Sequence, residues 1–174
     1  PKKFKKTYKI NKYKTLAAFH TRNVPHSAHQ WIHKFLIKKY QNLLIQPLIG
    51  QYKKGEFKDK VILETNKMIA KNYNKKNYVK IFSIPFFSYP RYGGPKEAAL
   101  HAIVRKNYGC THIWIGRDHA GVGSFFKKYD SRKYCKKNEK YLGIKIVSKN
   151  EPSLCSVCQK ISVNKCCKGG NMEK

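Results

Sequence analysis

The chain has 174 residues, enough for one domain with its own core but short of two ordinary ones, and 38 Lys and Arg against nine Asp and Glu give a formal charge of +29. No run approaches the roughly 20 apolar residues of a membrane-spanning helix, and the opening Pro1-Lys2-Lys3-Phe4-Lys5-Lys6 leads into no apolar signal core, so neither a membrane protein nor an exported one is expected. So few carboxylates also leave little for acid–base chemistry driven by carboxylate pairs.

Residues 1–14 are rich in Lys and Tyr without an apolar period and read as a linker or a tail. Leu16-Ala17-Ala18-Phe19 predicts a short buried strand. From His26 to Tyr40, apolar residues at Ala28, Trp31, Ile32, Phe35 and Leu36 predict a helix. Leu43 to Gly50 reads as a second strand, residues 58–71 as a second helix and Val79 to Ile84 as a third strand. Pro95 suits the first turn of a helix running to about Tyr108, and Thr111 to Ile115 is a fourth strand. Ser124 to Lys140 is polar and irregular, and Leu142 to Val147 allows one more strand. Strand and helix alternate as in a parallel α/β sheet, where ligands bind beyond the carboxyl ends of the strands. The loops after the first and fourth strands are therefore the places to look.

The first of these loops is Thr21-Arg22-Asn23-Val24-Pro25-His26-Ser27-Ala28-His29. Pro25 ends the strand, and the helix that follows offers free N–H groups and a dipole that favour an anion. His26 and His29, three apart, project from one side of its first turn. Beside Arg22 they make a polyphosphate pocket, although His-x-x-His also serves as a metal pair or as two surface histidines without a role. The second loop, Gly116-Arg117-Asp118-His119-Ala120-Gly121-Val122-Gly123, combines close backbone approach with donors for phosphate or sulfate; in isolation it would pass for a polar turn. A third loop, Arg91-Tyr92-Gly93-Gly94-Pro95-Lys96-Glu97-Ala98, runs into a helix and is either a ligand loop or an ordinary helix start. Positive charge aimed at anions suits phosphoryl or nucleotidyl transfer, where positioning and charge stabilisation do most of the catalysis.

Only five of the cations are arginine, and the lysines run along nearly the whole chain with many Asn, Ile and Tyr. That spread reads as a compositional bias, so a basic surface drawing anionic substrates is favoured over nucleic-acid binding. Six cysteines stand at 110, 135, 155, 158, 166 and 167, crowded toward one end unlike a secreted disulfide framework, which points to a reducing, cytoplasmic setting. Cys110 is expected to be a buried thiol and Cys135 a loop residue. Cys155, Cys158, Cys166 and Cys167 have zinc-knuckle spacing, with free thiols or an adventitious cluster as the alternatives.

Those three loops, in this order, together with Arg105 to His112, resemble the catalytic domain of the ATP sulfurylases over about residues 15–160. The resemblance implies a Rossmann-like parallel sheet of the HxxH nucleotidyltransferase type with a small Cys-rich C-terminal piece. It implies residues 1–14 as the linker or tail of an N-terminal domain, 15–150 as the catalytic domain and 151–174 as a Cys-rich segment. The implied reaction moves AMP from ATP, carried with Mg2+, to sulfate, giving adenosine 5′-phosphosulfate and pyrophosphate.

By position, Thr21, Arg22 and Asn23 would be the active-site triplet, with His26 and His29 on the β- and γ-phosphates. Gly116, Arg117, Asp118 and His119 would bind ATP, and the Ala120 backbone, Arg22 and His20 would bind sulfate. His20 stands where the family usually has Gln; imidazole can donate a hydrogen bond, and if protonated it would attract sulfate and make affinity depend on pH. Gly93 and Lys96 stand where Ala and Arg are commoner. Some prokaryotic relatives carry a structural zinc on CxxC with a later Cys and His, and homo-oligomers are compatible with the family. The family's other domains lie outside the match, so a fragment, a trimmed chain or a minimal or decayed form is expected. The rivals are another HxxH nucleotidyltransferase and a non-catalytic basic module that binds nucleotide or nucleic acid.

Overall fold

The computed structural model describes residues 1–50, 57–76, 80–163, 167 and 172–173. Five strands, β1 (Ala17–Thr21), β2 (Leu43–Ile49), β3 (Ile81–Ser83), β5 (His112–Trp114) and β6 (Lys145–Val147), form a parallel sheet in the order β3-β2-β1-β5-β6. A two-residue strand, β4 (Phe86–Phe87), extends it by pairing with the end of β2. Helices α2 (Ser27–Tyr40), α3 (Asp59–Lys76), α4 (Gly94–Asn107) and α5 (Asp130–Lys137) make the crossovers, and the short α6 (Glu139–Leu142) leads into β6. This is the parallel α/β sheet expected from the alternating pattern, and the Rossmann-like architecture that the family resemblance implies.

The period of two in the strands sorts their side chains onto two covered faces. Leu16, Ala18, Leu44, Ile113, Ile115 and Ile146 pack with Ala98 and Ala102 of α4, while Ala17, Phe19, Leu43, Ile45 and Trp114 pack with Ile32 and Leu36 of α2 and Ala70 and Tyr73 of α3. All seven residues of β2 are buried, which explains why it reads as an apolar-rich run rather than an alternating one, with Gln46 its one buried polar side chain. Pro47, which cannot donate to a ladder, falls where the outer partner changes from β3, ending opposite Ile45, to β4, starting opposite Leu48.

Three features differ from the sequence reading. Residues 1–14, read as a linker or tail, fold onto this domain as α1 (Lys2–Thr7) and a 3-10 turn at Ile10–Lys12, burying Phe4 and Ile10 in the core. The stretch 124–140, read as irregular, contains α5, whose buried face is only Ser131 and Cys135; small residues leave no apolar stripe to detect. Cys135 is thus a fully buried helix residue and not a loop residue. Cys110 is buried, as expected. Beyond β6, strands β7 (Ser153–Cys155), β8 (Ile161–Ser162) and β9 (Met172–Glu173) form a separate antiparallel sheet, the Cys-rich piece. Val79 and Cys166 lie outside the described residues.

Candidate active site

In sequence the chain leaves β1 toward β2 and leaves β5 toward β6, on opposite sides, so the carboxyl ends of the adjacent β1 and β5 form a switch point with a crevice between their loops. A cleft of about 230 Å³ opens there. Its walls are His20 to Asn23 and His29 from the first loop, Pro90 and Tyr92 from the third, Glu97 and His101 from α4, and Asp118 to Gly121 from the second. Of the predicted residues, His20, Thr21, Arg22, Asn23, His29, Asp118, His119 and Ala120 come together.

The remaining predicted residues lie at the edges. His26 occupies the N-cap position of α2, and its ring lies against that of His29 with centroids 3.8 Å apart and planes tilted by 32°, so the pair does share one side of the first turn. Arg117 donates through Nε to Asp118 (2.6 Å) and through Nη1 to Glu151 (3.1 Å), and lines a neighbouring pocket with His119, Lys127 and Ser131. Gly116 and Arg117 are not among the residues lining the main cleft. His33, the fourth histidine of the first loop and helix, belongs to the core, its ring against Phe19.

The three loops are tied to one another. Thr21 Oγ1 accepts from the Asn23 amide (3.0 Å), folding the first loop back on its strand. The Gly94 amide donates to the Ala120 carbonyl (2.9 Å), joining the third loop to the second. Glu97 accepts from the amides of Arg91 (3.2 Å) and Gly93 (2.8 Å), so its carboxylate organises the third loop from within α4. The unpredicted α5 braces the second: Ser131 Oγ donates to the His119 carbonyl (2.7 Å), and Arg132 Nε to the Ile115 carbonyl (3.1 Å). Two non-glycine residues with positive φ, Tyr92 (54°) and Ala120 (60°), sit on the cleft wall, a strained backbone of the kind found at ligand sites.

Behind the cleft lies a polar cluster that sequence reading missed. Arg105 of α4 is fully buried, and among the described residues no carboxylate pairs with it. It donates from Nη2 to His20 Nδ1 (2.5 Å) and from Nη1 to the His101 carbonyl (3.3 Å), and lies 4.8 Å from the Phe86 ring centroid. Burial lowers its pKa to about 9, which still leaves it charged at neutral pH. His101 Nδ1 and His119 Nε2 share a 3.0 Å hydrogen bond, and His101 Nε2 lies 3.7 Å from Glu97.

Burial, then His119 and Arg105, drive the His101 pKa down to about 2; burial, then Arg105, put His119 at about 3. His20 is lowered well below its usual value, by burial first and Arg105 next, so the pH-dependent protonated form expected from its sequence position does not arise near neutrality. Burial and then His26 push His29 down to about 4, partly offset by the Val24 carbonyl, and burial lowers His26. The signal for this cluster was present in the sequence: Glu97, His101 and Arg105 recur every four residues on one face of α4, beside core residues Ala98 and Ala102.

The nitrogens of His20, His101 and His119 lie within 4.8 Å of one another, close enough for a cation, but the Arg105 charge and its bond to His20 oppose one there. Neither cleft carboxylate is set up for a metal, since Glu97 holds the third loop and Asp118 takes Arg117. Away from the cleft, the thiols of Cys155, Cys158 and Cys167 lie within 4.8 Å of one another, a sulfur set that fits zinc. No helix among the described residues is long and apolar enough to cross a membrane.

The family model described as ATP-sulfurylase matches residues 1–174. Proteins named sulfate adenylyltransferase are similar along most of the chain: that of Carboxydothermus hydrogenoformans is 36% identical over 98% of this chain and 44% of its own length, and that of Hyperthermus butylicus 38% identical over 96% and 42%. The Pyrococcus abyssi protein of that name is 40% identical over 71% of this chain and 32% of its own. The chain thus spans less than half the length of these relatives. Among solved structures, the hexameric APS kinase from Thiobacillus denitrificans superposes on all of this chain and 32% of its own with a TM-score of 0.69 at 14% identity, a likeness of fold. With the family model covering every residue and sulfate adenylyltransferases matching nearly the whole chain, the protein belongs to the ATP-sulfurylase family.

Proposed function

We propose that the chain is the catalytic part of a cytoplasmic sulfate adenylyltransferase, a nucleotidyltransferase that moves AMP from MgATP to sulfate and releases pyrophosphate, reversibly. The observation that carries this is the meeting, in one cleft at the switch point, of Arg22, Asn23 and His29 from the loop after β1 with Asp118, His119 and Ala120 from the loop after β5. Family membership supports the same reaction.

Arg22 holds sulfate and neutralises charge as a sulfate oxygen attacks the α-phosphorus, while the bond from that phosphorus to the pyrophosphate oxygen breaks. No covalent enzyme intermediate forms. Asn23 contacts the ATP phosphates, and His26 and His29, neutral and able to donate, steady the β- and γ-phosphates as pyrophosphate leaves. Gly116, Arg117, Asp118 and His119 hold the nucleotide, with the Ala120 N–H and His20 on sulfate. Magnesium arrives with ATP, in keeping with a cleft whose carboxylates are engaged elsewhere. Cys155, Cys158 and Cys167 would hold a structural zinc that ties the C-terminal sheet together.

Sulfate-dependent exchange of labelled pyrophosphate into ATP tests this reading. Exchange that requires both sulfate and Mg2+ is expected; exchange indifferent to sulfate would assign the cleft to another acceptor.

A further inference from the structure

We infer that Arg105 is a positioning residue that sets His20 in the neutral tautomer carrying its proton on Nε2, so that this N–H donates to a tetrahedral oxyanion in the cleft. The inference rests on the sulfate reading of the cleft and names what aims one wall of it.

A guanidinium has only donors, so the 2.5 Å bond from Arg105 Nη2 makes His20 Nδ1 the acceptor. A neutral imidazole that accepts at Nδ1 carries its proton on Nε2, on the other side of the ring. His20 lines the cleft and is not fully buried, so with Nδ1 engaged Nε2 is the nitrogen left for a ligand. Every charged or titratable group known to act on the ring works against a second proton: burial first, then Arg105, His101, His119 and Arg22. The ring is therefore a fixed dipole. It supplies one hydrogen bond without the charge that would make its strength follow pH.

Arg105 is suited to this task and costly otherwise. It is fully buried without a carboxylate partner among the described residues, and its Nε has no hydrogen-bond partner. A charge so placed is expensive unless something answers it. An oxyanion in the adjoining cleft, reached through the polarised His20 ring, answers it without touching Arg105. The His101 carbonyl, accepting from Nη1, and the Phe86 ring hold the guanidinium in place from the other side.

Long-range proton–nitrogen correlation spectra of the chain labelled with 15N-histidine test the inference, with His20→Gln assigning the signal. His20 is expected as the Nε2–H tautomer from pH 6 to 8. Inorganic sulfate should shift Nε2 and leave Nδ1 nearly still, whereas inorganic pyrophosphate should move the His26 and His29 signals instead. An Nδ1–H tautomer, a doubly protonated ring in that range, or a His20 that answers pyrophosphate but not sulfate overturns it.

Sulfate titrations of wild type, Arg105→Met, His20→Gln and the double variant give an independent arm. Loss of an aimed bond to an anion predicts roughly 10-fold weaker binding or more for Arg105→Met in the wild-type background. In the His20→Gln background, where an amide needs no tautomer set, the same change should cost less than about 3-fold. Equal losses in both backgrounds would make Arg105 merely structural. Neither arm needs turnover, so the expected tautomer and sulfate shift in a chain that makes no ATP would sink the functional reading and leave this inference standing.

Discussion

Arg22 donates from Nη1 to the Tyr92 hydroxyl (2.9 Å), and its guanidinium lies 5.1 Å from the centre of that ring, so the loop after β1 and the loop before α4 meet through one side chain. Tyr92 holds a positive φ to make the contact. Tyr92→Phe keeps the ring and removes the hydroxyl bond. A net hydrogen bond of about 1 kcal/mol predicts a ~5-fold rise in the KM of an anionic substrate with kcat nearly unchanged, read from steady-state kinetics.

Glu97 is buried and accepts two loop amides. Glu97→Ala would leave the Arg91 and Gly93 amides without those acceptors and remove the carboxylate beside His101. Urea unfolding should show a loss of ~2 kcal/mol, with Glu97→Gln, which retains one acceptor, losing less. Equal stability of the alanine variant and wild type would mean that the loop does not depend on this carboxylate.

Gly94 has φ +53°, and a Cβ built there would meet the Phe126 ring at 2.5 Å. Its amide also ties two site loops together through Ala120. Gly94→Ala should cost ~1–3 kcal/mol by steric crowding and backbone strain. Phe126→Ala added to it should recover the steric part and leave the strain, measured as Tm across the four chains.

Acid should destabilise the chain over a defined window. His29, His33, His101 and His119 have folded-state pKa values of about 4, 3, 2 and 3, all below the ordinary value of 6.5 and all chiefly through burial. Below pH ~6.5 the unfolded chain takes up protons that the folded chain refuses. The stability these neutral rings contribute is thus fully present above 6.5 and falls as pH drops through the folded values of about 4 to 2, by up to ~1.4 kcal/mol per pH unit for each histidine. Urea midpoints at pH 7.5 and 5.0 should differ in that direction, and His33→Leu should flatten the difference.

Purified from zinc-containing medium, the chain should carry about one zinc, released on thiol modification. Cys158→Ser should lose the metal and loosen the C-terminal sheet without abolishing the α/β core, since Cys155, Cys158 and Cys167 all lie on or beside that sheet. Full zinc in the serine variant would place the metal elsewhere.

The parallel sheet was legible because the strands and the first three crossover helices kept recognisable patterns, from the apolar-rich Leu43–Ile49, buried throughout, to the amphipathic α2. The two switch-point loops were legible because ligands gather at the carboxyl ends of parallel strands and these two carry the Arg, His and Gly residues suited to an anion, whereas the strand order that makes β1 and β5 neighbours came from the structure. What escaped was written in other terms. Helix α5 buries Ser131 and Cys135, too small to make a stripe, and α1 buries Phe4 through long-range packing that no local pattern announces. The buried cluster of Glu97, His101 and Arg105 was hidden because polar residues in a helix read as its solvent face. Only their four-residue spacing beside alanines marks them as facing inward.

The measurement that bears most directly on the whole account is ATP formation from adenosine 5′-phosphosulfate and pyrophosphate by this chain, paired with Arg22→Ala. The account predicts Mg2+-dependent turnover that falls at least ~100-fold in the variant, since Arg22 neutralises charge at the reacting centre. Turnover untouched by Arg22→Ala, or none from a folded wild-type chain that binds both substrates, would contradict it.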